Sequence, residues 1–511
     1  IIEWLADLGC SIDDKNESGT NCVQLACLEG LLDVVKWLLE RGADIHNIDD
    51  TDWGSMRYAC KSGNLELVKY LIELGLSLDG DELMHSAAHS GNVKLVKFLH
   101  SRGIKLDEQN DTKSTPIMTA AKEGHLGVIK WMYKNGVTLN QIDEDNTSPM
   151  GHSIYSGHIK LVKWMYKIDP KLLEEVLDIY ENTPTHLAAM GGSVPILKFL
   201  MLKGFDFERK NKFGGSALFL AARNGKLDAT KWLANHNANL ESENTDGSTP
   251  LNNACMFGHL DVVRELFSVG ANLETKDKEG YTPIINAAYS GNLELVIWLY
   301  ERNALLEERT DKERTPIIEA SIAGKLNVIK WLVERGISTT DSRCNVGGTC
   351  IIYAASNNRI DVLTWLLEQG ENVEQMNNYE ETPLKVAASH SGTIESMELL
   401  LSKGASITRP DDEGSTPLHG ACLEGMLDNV KWLIEHGVPV DCRNTFGNTP
   451  LLEAARKNHI EVVKFLLENG SSIDETNDEG ETIYTIAENR KKFKEQMNLI
   501  QRTKKLKKAA S

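Results

Sequence analysis

The chain has 511 residues, of which 41% are hydrophobic, 6% aromatic and 25% charged. These proportions lie within the range of folded proteins and exclude collagen-like, mucin-like and wholly disordered chains. The formal net charge of −19 argues against a body that binds nucleic acid, because an acidic surface repels phosphates. We therefore expect no sequence-specific nucleic-acid recognition.

Cysteine usage and hydropathy bear on the compartment. The nine cysteines are odd in number and show no Cys-x-x-Cys spacing, which argues against a disulfide-bonded secreted scaffold. A lysine or glutamate interrupts every hydrophobic run before it reaches the ~18 apolar residues of a membrane span. We expect a cytoplasmic protein without a transmembrane span; cytoskeletal association and a nuclear location stay open.

The first residues resemble the later half of a unit that recurs downstream. The chain opens at Ile1, and Ile-Ile-Glu-Trp-Leu-Ala-Asp-Leu-Gly precedes a turn at Gly9. We therefore expect residues 1–15 to be a partial repeat whose beginning lies upstream.

A similar apolar run recurs at intervals close to 33 residues, and each time a turn residue ends it. Where glycine is absent, the period falls on Asp169, Asn237 and Asn303. Asn and Asp tolerate a left-handed backbone at a helix end better than other non-glycine residues, so we count them as equivalent turns. The glycines of this series are Gly9, Gly42, Gly75, Gly103, Gly136, Gly204, Gly270, Gly336, Gly370, Gly404, Gly437 and Gly470.

A second turn, again with Gly or Asn, lies in phase with the first and separates two helical segments. Before it, a Thr-Pro pair recurs, as at Thr282-Pro283 and Thr416-Pro417, with Ser148-Pro149 as a variant. Thr as N-cap followed by Pro at the first helical position is a helix start signal. Each unit therefore reads as polar loop, capped short helix, turn, second helix and glycine stop.

The second helix of each unit is amphipathic. In residues 31–40 the apolar residues Leu31, Val34, Val35, Leu38 and Leu39 follow the i, i+3, i+4, i+7 pattern. Neither helix is long enough to be stable alone, so neighbouring units must supply the buried surface. This predicts a solenoid.

Residues 416–421, Thr-Pro-Leu-His-Gly-Ala, fit the T-P-L-H-x-A signature, and the whole unit resembles the ankyrin repeat. The resemblance implies an all-α solenoid of helix-turn-helix units with β-hairpin loops, wound into a curved superhelix. Contiguous repeats would cover residues 16–488. It also implies a concave groove that binds other proteins, no catalytic activity and no cofactor, and a loop-tying role for His186 and His419.

Two units depart from the period. Gly75 and Gly103 are only 28 residues apart, and the missing residues fall in the loop of the irregular unit at 76–90. The other irregular unit, at 166–184, carries Pro170 and the stretch Leu172–Leu177, for which we predict a short extra helical turn.

Nine of the ten tryptophans occupy one position of the second helix. A packing ladder between repeats explains a residue repeated in every unit, whereas an exposed stripe that binds a partner is the alternative. These tryptophans are Trp4, Trp37, Trp131, Trp164, Trp232, Trp298, Trp331, Trp365 and Trp432.

Positions that vary between repeats are the better guide to the residues that bind a partner. Large side chains precede the inter-helix turn in the central units, where solvent exposure would favour charge, and aromatic residues stand three positions before the Thr of the start signal. Because aromatic anchors dominate interface energetics, we predict a partner-binding stripe. Its residues before the turn are Tyr155, Met190, Arg223, Met256, Phe257, Tyr289 and Ile322, and those at the loops are Tyr180, Phe213, Tyr379 and Phe446. Trp53 and Tyr281, one position before the helix start, also read as loop aromatics.

No phosphate loop, dinucleotide fingerprint, nucleophile elbow or zinc-protease motif occurs, so we predict neither an enzyme nor a metal site. His85 and His89 share a helix face but lack a third ligand at suitable spacing. Cys27, Cys60, Cys255 and Cys422 each follow an alanine, which indicates small buried packing residues.

The basic residues are concentrated at the end of the sequence. Residues 490–511 contain nine basic residues and one acid, a net charge of +8. We predict a capping helix followed by a basic tail within 489–511. Lys504, Lys505, Lys507 and Lys508 would contact an acidic polymer tail or an anionic surface.

These features predict a non-enzymatic scaffold or adaptor that binds other proteins. Two alternatives are a structural spacer or tether in a cytoskeletal or organellar assembly, and a regulatory or targeting arm of a larger enzyme or channel.

Overall fold

The computed structural model describes residues 12–79, 82–174 and 178–488. Most of the predicted partial repeat at 1–15, including Trp4 and Gly9, lies outside these ranges. So does the basic segment 489–511 with Lys504, Lys505, Lys507 and Lys508, and its predicted capping helix and partner contact stay predictions.

Fifteen inner helices follow the loops in the described ranges, each six to eight residues long. They are α1 (Cys22–Leu28), α3 (Ser55–Ser62), α5 (Leu83–Ser90), α7 (Pro116–Lys122), α9 (Pro149–Tyr155), α12 (Pro184–Gly191), α14 (Ala217–Arg223), α16 (Pro250–Met256), α18 (Pro283–Ser290), α20 (Pro316–Ala323), α22 (Cys350–Ser356), α24 (Pro383–Ala388), α26 (Pro417–Glu424), α28 (Pro450–Lys457) and α30 (Ile483–Glu488).

An outer helix of eight to ten residues runs back from every inner helix but α30 in the described part of the chain. These are α2 (Leu32–Glu40), α4 (Leu65–Glu73), α6 (Val93–Ser101), α8 (Leu126–Lys134), α10 (Ile159–Ile168), α13 (Val194–Leu202), α15 (Leu227–Ala234), α17 (Leu260–Ser268), α19 (Leu293–Tyr300), α21 (Leu326–Glu334), α23 (Ile360–Glu368), α25 (Ile394–Ser402), α27 (Leu427–Glu435) and α29 (Ile460–Glu468).

The contacts divide the chain into two compact units, residues 1–245 with 268–270, and residues 246–267 with 271–511. Within each unit, successive inner helices pack side by side, and most of them also pack on their own outer helix. The predicted all-α repeat architecture is confirmed. The alanines and cysteines at the inner-helix contact are fully buried, as at Cys60 in the first unit and Cys422 in the second.

The helix boundaries follow the predicted signals. Thr at the N-cap is extended and Pro occupies the first turn, as at Thr416 and Pro417. Asn237 and Asn303 adopt positive φ values of 62° and 66°, so they replace glycine as predicted.

Asp169 is an exception to the turn rule. Its φ of −151° and ψ of 115° are extended, so its equivalence to a glycine turn was wrong. Pro170 explains the difference, because the proline ring excludes helical and related conformations of the preceding residue.

An Asp or Asn side chain organises most of the loops, five residues before the N-cap, and Thr310 and Cys344 occupy this position in two others. The Asp or Asn oxygen accepts hydrogen bonds from the backbone N–H groups two and four residues later; for Asp411 these belong to Glu413 (3.0 Å) and Ser415 (2.7 Å). The side-chain oxygen of Asn444 accepts from the backbone N–H groups of Phe446 and Asn448 in the same way. This position was not predicted from the sequence; it is also occupied by Asn16, Asp49, Asn110, Asp143, Asp178, Asn211, Asp277, Asn377 and Asn477.

Backbone hydrogen bonds join the tip of one loop to the tip of the next. In the first unit Lys212 N–H donates to the Tyr180 carbonyl (3.0 Å), and in the second Thr445 N–H donates to the Glu413 carbonyl (2.9 Å). In the described ranges, isolated antiparallel β-bridges join Lys15 to Asn21 and Ile48 to Gly54. The hairpin loops are therefore held mainly by the Asp or Asn side chain and by contacts between tips.

The two units for which irregularity was predicted, at 76–90 and 166–184, have the following structure. The loop between α4 and α5 is shortened to residues 74–82, and Glu82 at its end forms an ion pair with Arg57. The other unit contains the extra helix α11 (Lys171–Glu174), with Leu173 buried.

The outer helices carry the predicted packing ladder. Tyr300 meets Trp331 of the next repeat edge to face, with ring centroids 5.5 Å apart, and Tyr133 meets Trp164 at 5.9 Å. The residue one turn later covers the ring, as Arg335 does at 3.9 Å from Trp331. None of the ladder tryptophans in the described ranges is exposed, so they form packing contacts between repeats and the exposed-stripe alternative was wrong.

Replacing Trp331 by alanine should lower the free energy of unfolding by about 3–5 kcal/mol, because the residue is buried and the cavity removes its contacts with Tyr300 and Arg335. Trp331→Phe should lower the free energy of unfolding by less, because the phenyl ring keeps part of the buried contact. Tyr379→Ala, at an exposed tip of the same unit, should change stability by no more than ~0.5 kcal/mol. Urea unfolding followed by circular dichroism measures all three; equal losses for the two alanine variants would contradict the ladder.

Candidate partner-binding surface

The predicted stripe residues lie at two places on each repeat, the ends of the inner helices and the loop tips. Eight of them are between 39 and 52% exposed: Tyr155, Tyr180, Phe213, Met256, Phe257, Tyr289, Tyr379 and Phe446. Arg223 is also exposed, whereas Met190 and Ile322 are half-buried. The structure shows where these residues lie, and their role in binding stays a prediction.

In the first unit the structure brings two loop aromatics together. The rings of Tyr180 and Phe213 are 5.8 Å apart and inclined by 37°. The bond from Lys212 N–H to the Tyr180 carbonyl fixes this spacing, because it aligns the two tips. The result is an exposed aromatic pair on adjacent loops.

The inner-helix ends of the first unit approach each other closely at one point. A Cβ atom on Gly191 would lie 2.0 Å from the carbonyl oxygen of Tyr155, so only glycine permits this contact. Gly191 thereby sets Met190 beside Tyr155 on neighbouring inner helices α12 and α9.

In the second unit the exposed apolar side chains follow the same positions. Met256 ends α16 and Phe257 follows it, while Tyr289 lies near the end of α18, which packs beside α16. The ring of Phe257 also stacks on His259 at 6.4 Å. Tyr379 and Phe446 occupy two loop tips with the tip of Asp412 and Glu413 between them.

The two aromatics one position before the helix start belong to the packing of the protein. The Trp53 ring contacts Tyr58 at 5.3 Å and is covered by Arg57 at 4.0 Å. Tyr281 donates its hydroxyl hydrogen to Glu319 over 3.0 Å. Both side chains are half-buried packing residues of their loops, and a role for them in binding stays a prediction.

Glu319 is the centre of a polar cluster that the sequence analysis missed. Its carboxylate is 2% exposed and also accepts from Arg314 at 3.3 Å. Burial raises its pKa, an effect that Arg314 and Tyr281 oppose. The same burial, together with the charge of Glu319, raises the pKa of Tyr281. All three groups already have partners, so the cluster stabilises the loop and inner helix α20.

His186 and His419 tie neighbouring loops as the resemblance implied. Nδ1 of His186 accepts from the Thr183 N–H (3.1 Å), so its Nε2 carries the proton that it donates to the Gly215 carbonyl (3.0 Å). His419 makes the same bonds with Thr416 and Asn448. Burial lowers the pKa of both imidazoles.

The remaining candidate groups also serve packing. Nε2 of His85 contacts the Glu108 carbonyl at 3.1 Å, and His89 lies 3.4 Å from Glu123. Burial raises the pKa of the Cys27 and Cys60 thiols to about 12, which keeps them protonated. The cysteines at 27, 60, 255 and 422 are buried packing residues, as predicted.

Comparison with known proteins adds to this geometry. The family profile described as ankyrin repeats in three copies matches residues 1–82, 83–174, 185–277, 269–343, 337–411 and 408–478. The chain belongs to the ankyrin repeat family. Ankyrin repeats are in general protein–protein interaction modules and are typically without enzymatic activity.

Among solved structures, the crystal structure of the human ASB11 ankyrin repeat domain is similar at 24% identity, with a TM-score of 0.38. The alignment covers 44% of this chain and 99% of that domain. None of the curated proteins with which the sequence was compared matches it.

Two further properties concern only residues 12–79, 82–174 and 178–488. In these ranges the ankyrin helices are all too short or too polar to cross a membrane. The same ranges contain no group of three or more His, Cys, Asp or Glu side chains placed to bind a metal ion.

The ankyrin fold should lose stability as the pH falls below about 6.5, the pKa of histidine in an unfolded chain. The lowered pKa values of His186 and His419 mean that the unfolded state binds more protons there, so their contribution is complete above that pH and declines as acid protonates the unfolded state. Gln24 shows that an amide can replace the ring, since it accepts from Asn21 N–H and donates to the Asn47 carbonyl.

We therefore expect the double variant His186→Gln, His419→Gln to have a smaller loss of unfolding free energy between pH 7.5 and 5.5 than the wild type. Urea titrations at each pH measure the difference. The exposed pair His100→Gln, His390→Gln is the matched control and should retain the wild-type dependence. An identical pH profile for all three proteins would refute the assignment.

Proposed function

We propose that this ankyrin repeat protein is a non-enzymatic scaffold that binds other proteins through its loop tips and inner-helix ends. The observation that supports the proposal most directly is the recurrence of exposed aromatic and large apolar side chains at the same two positions of several repeats. Family membership supports the general class of function.

The energetics favour such residues as anchors. Large aromatic side chains supply contact area at low conformational-entropy cost, and they are enriched among the residues that dominate binding energy. In the second unit Met256, Phe257 and Tyr289 present this surface on rigid helix ends, while Tyr379 and Phe446 present it on tips held by Asn377 and Asn444. Both supports are preorganised, which lowers the entropic cost of binding.

The cytoplasm is the compartment we propose. Every cysteine in the described ranges is a free thiol, and most of them are buried, which suits a reducing environment. The predicted contact of the basic tail with an acidic partner belongs to the same proposal.

Proximity labelling of the full chain in cells tests the scaffold. Replacement of Met256, Phe257, Tyr289, Tyr379 and Phe446 by serine should reduce the labelling of most enriched proteins at least fivefold. The substituted side chains are exposed, so the circular dichroism spectrum should stay that of the wild type.

Leu305→Ser, Val333→Ser provides the matched control, because both side chains are exposed apolar groups of the same unit at other repeat positions. The control should label the wild-type set of proteins. If the five-residue variant is folded and still labels that set, the binding surface is wrong and a spacer role becomes the better explanation.

A further inference from the structure

The last four described loops of the second unit form a face that combines aromatic rings with carboxylates. Tyr379 and Phe446 are 50 and 52% exposed and lie two tips apart. The intervening tip carries Asp412 and Glu413, and the tip after Phe446 carries Asp478 and Glu479. We call these six residues the aromatic tip face.

Backbone hydrogen bonds hold the aromatic tip face together. Asp412 N–H donates to the Tyr379 carbonyl (3.2 Å), Thr445 N–H to the Glu413 carbonyl (2.9 Å) and Asp478 N–H to the Phe446 carbonyl (3.1 Å). The rings and carboxylates therefore alternate along a fixed edge. A segment that follows this edge would meet ring, acid, ring and acid in turn.

The carboxylates of the aromatic tip face are open to cations. Asp412, Glu413, Asp478 and Glu479 are all exposed, and none forms an ion pair with another described residue. By contrast, several acids at the base of these loops are already paired, as Glu475 is with Arg443 and Glu481 with Arg456. An occupant of the face must therefore supply cations, which also bind favourably over aromatic rings.

The same chain contains a segment of that chemistry. Residues 502–508, Arg-Thr-Lys-Lys-Leu-Lys-Lys, carry five cations and no acid, with Leu506 among them. This composition complements the face in both respects, since the lysines match the carboxylates and rings and the leucine matches the apolar surface.

The chain between α30 and the basic segment is long enough for the segment to reach the aromatic tip face. Thirteen residues, 489–501, separate the end of α30 from Arg502. In the predicted capping helix they would span about 20 Å at ~1.5 Å per residue, and the basic segment itself adds about 23 Å when extended at ~3.3 Å per residue. The tips from Tyr379 to Glu479 cover three repeat steps, about 30 Å at the ~10 Å spacing of packed helices.

We propose that the basic segment 502–508 binds the aromatic tip face of its own chain. Lysine side chains pair with Asp412, Glu413, Asp478 and Glu479 and lie over the rings of Tyr379 and Phe446. The contact is intramolecular because the short connection gives the segment a high effective concentration at the face. It does not rest on the proposed scaffold function, although it covers two of the residues predicted to bind partners.

Lysine footprinting of the full chain tests the contact. Brief acetylation followed by mass spectrometry measures the reaction rates of Lys504, Lys505, Lys507 and Lys508. In the variant Asp412→Asn, Glu413→Gln, Asp478→Asn, Glu479→Gln these rates should rise three- to tenfold over the wild type. Because the contact is exposed and ionic, 0.5 M salt should produce a similar rise in the wild type.

The matched control neutralises four exposed acids on outer helices of the same unit, Glu368→Gln, Glu395→Gln, Glu398→Gln and Glu435→Gln. It removes the same net charge and should leave the lysine rates at the wild-type level. Equal rates in the wild type and the tip variant, or an equal rise in the control, would overturn the proposal.

Carbodiimide crosslinking of an equimolar mixture of ¹⁵N-labelled and unlabelled chains identifies the partner of the segment. Crosslinks from Lys504–Lys508 to Asp412, Glu413, Asp478 or Glu479 within chains of one isotope support it. Crosslinks between isotopes would assign the contact to a second copy, and crosslinks confined to other carboxylates would place the segment elsewhere; either result overturns it. No binding partner takes part, so failure here leaves the scaffold proposal intact.

Discussion

Burial of each helix pair against the next repeat is the constraint on which the structure depends. Inner helices of six to eight residues are too short to be stable alone, so their stability comes from neighbours. The contact is made at three levels: loop tips joined by backbone hydrogen bonds, inner helices packed through alanine and cysteine, and outer helices joined by the aromatic ladder. A change in one repeat therefore acts mainly on the repeats beside it.

Much of this architecture could be predicted because it depends on local backbone chemistry. Glycine or asparagine at the helix stops and Thr-Pro at the helix starts reveal the period without knowledge of contacts. The prediction failed at Asp169. Pro170 confines the backbone of the residue before it to extended conformations, so Asp169 does not adopt the left-handed conformation of the other turns. The loop-organising Asp and Asn residues were missed because, in a polar loop, they resemble any other surface side chain.

The surface was less predictable than the helices. The sequence places Tyr180 and Phe213 at loop tips, but their ring contact depends on how the two tips align, which the bond from Lys212 N–H to the Tyr180 carbonyl determines. Tyr281 occupies a neighbouring loop position and turns inward, because Glu319 offers its hydroxyl an acceptor. Two positions along a loop thus separate an exposed ring from a half-buried one, and composition alone does not distinguish them.

In the described part of the first unit, the series of backbone bonds between loop tips has no member beside the shortened loop at residues 74–82. In the described ranges of the first unit, the bond from Asp50 to Ser18 precedes it and the next such bond joins Glu144 to Thr112. Across this gap the repeats are linked by helix packing, by the Arg57–Glu82 ion pair and by the bond from Asn92 to the Gly63 carbonyl. The association of helices α1–α4 with the repeats that follow therefore depends on helix packing and on these two side-chain contacts.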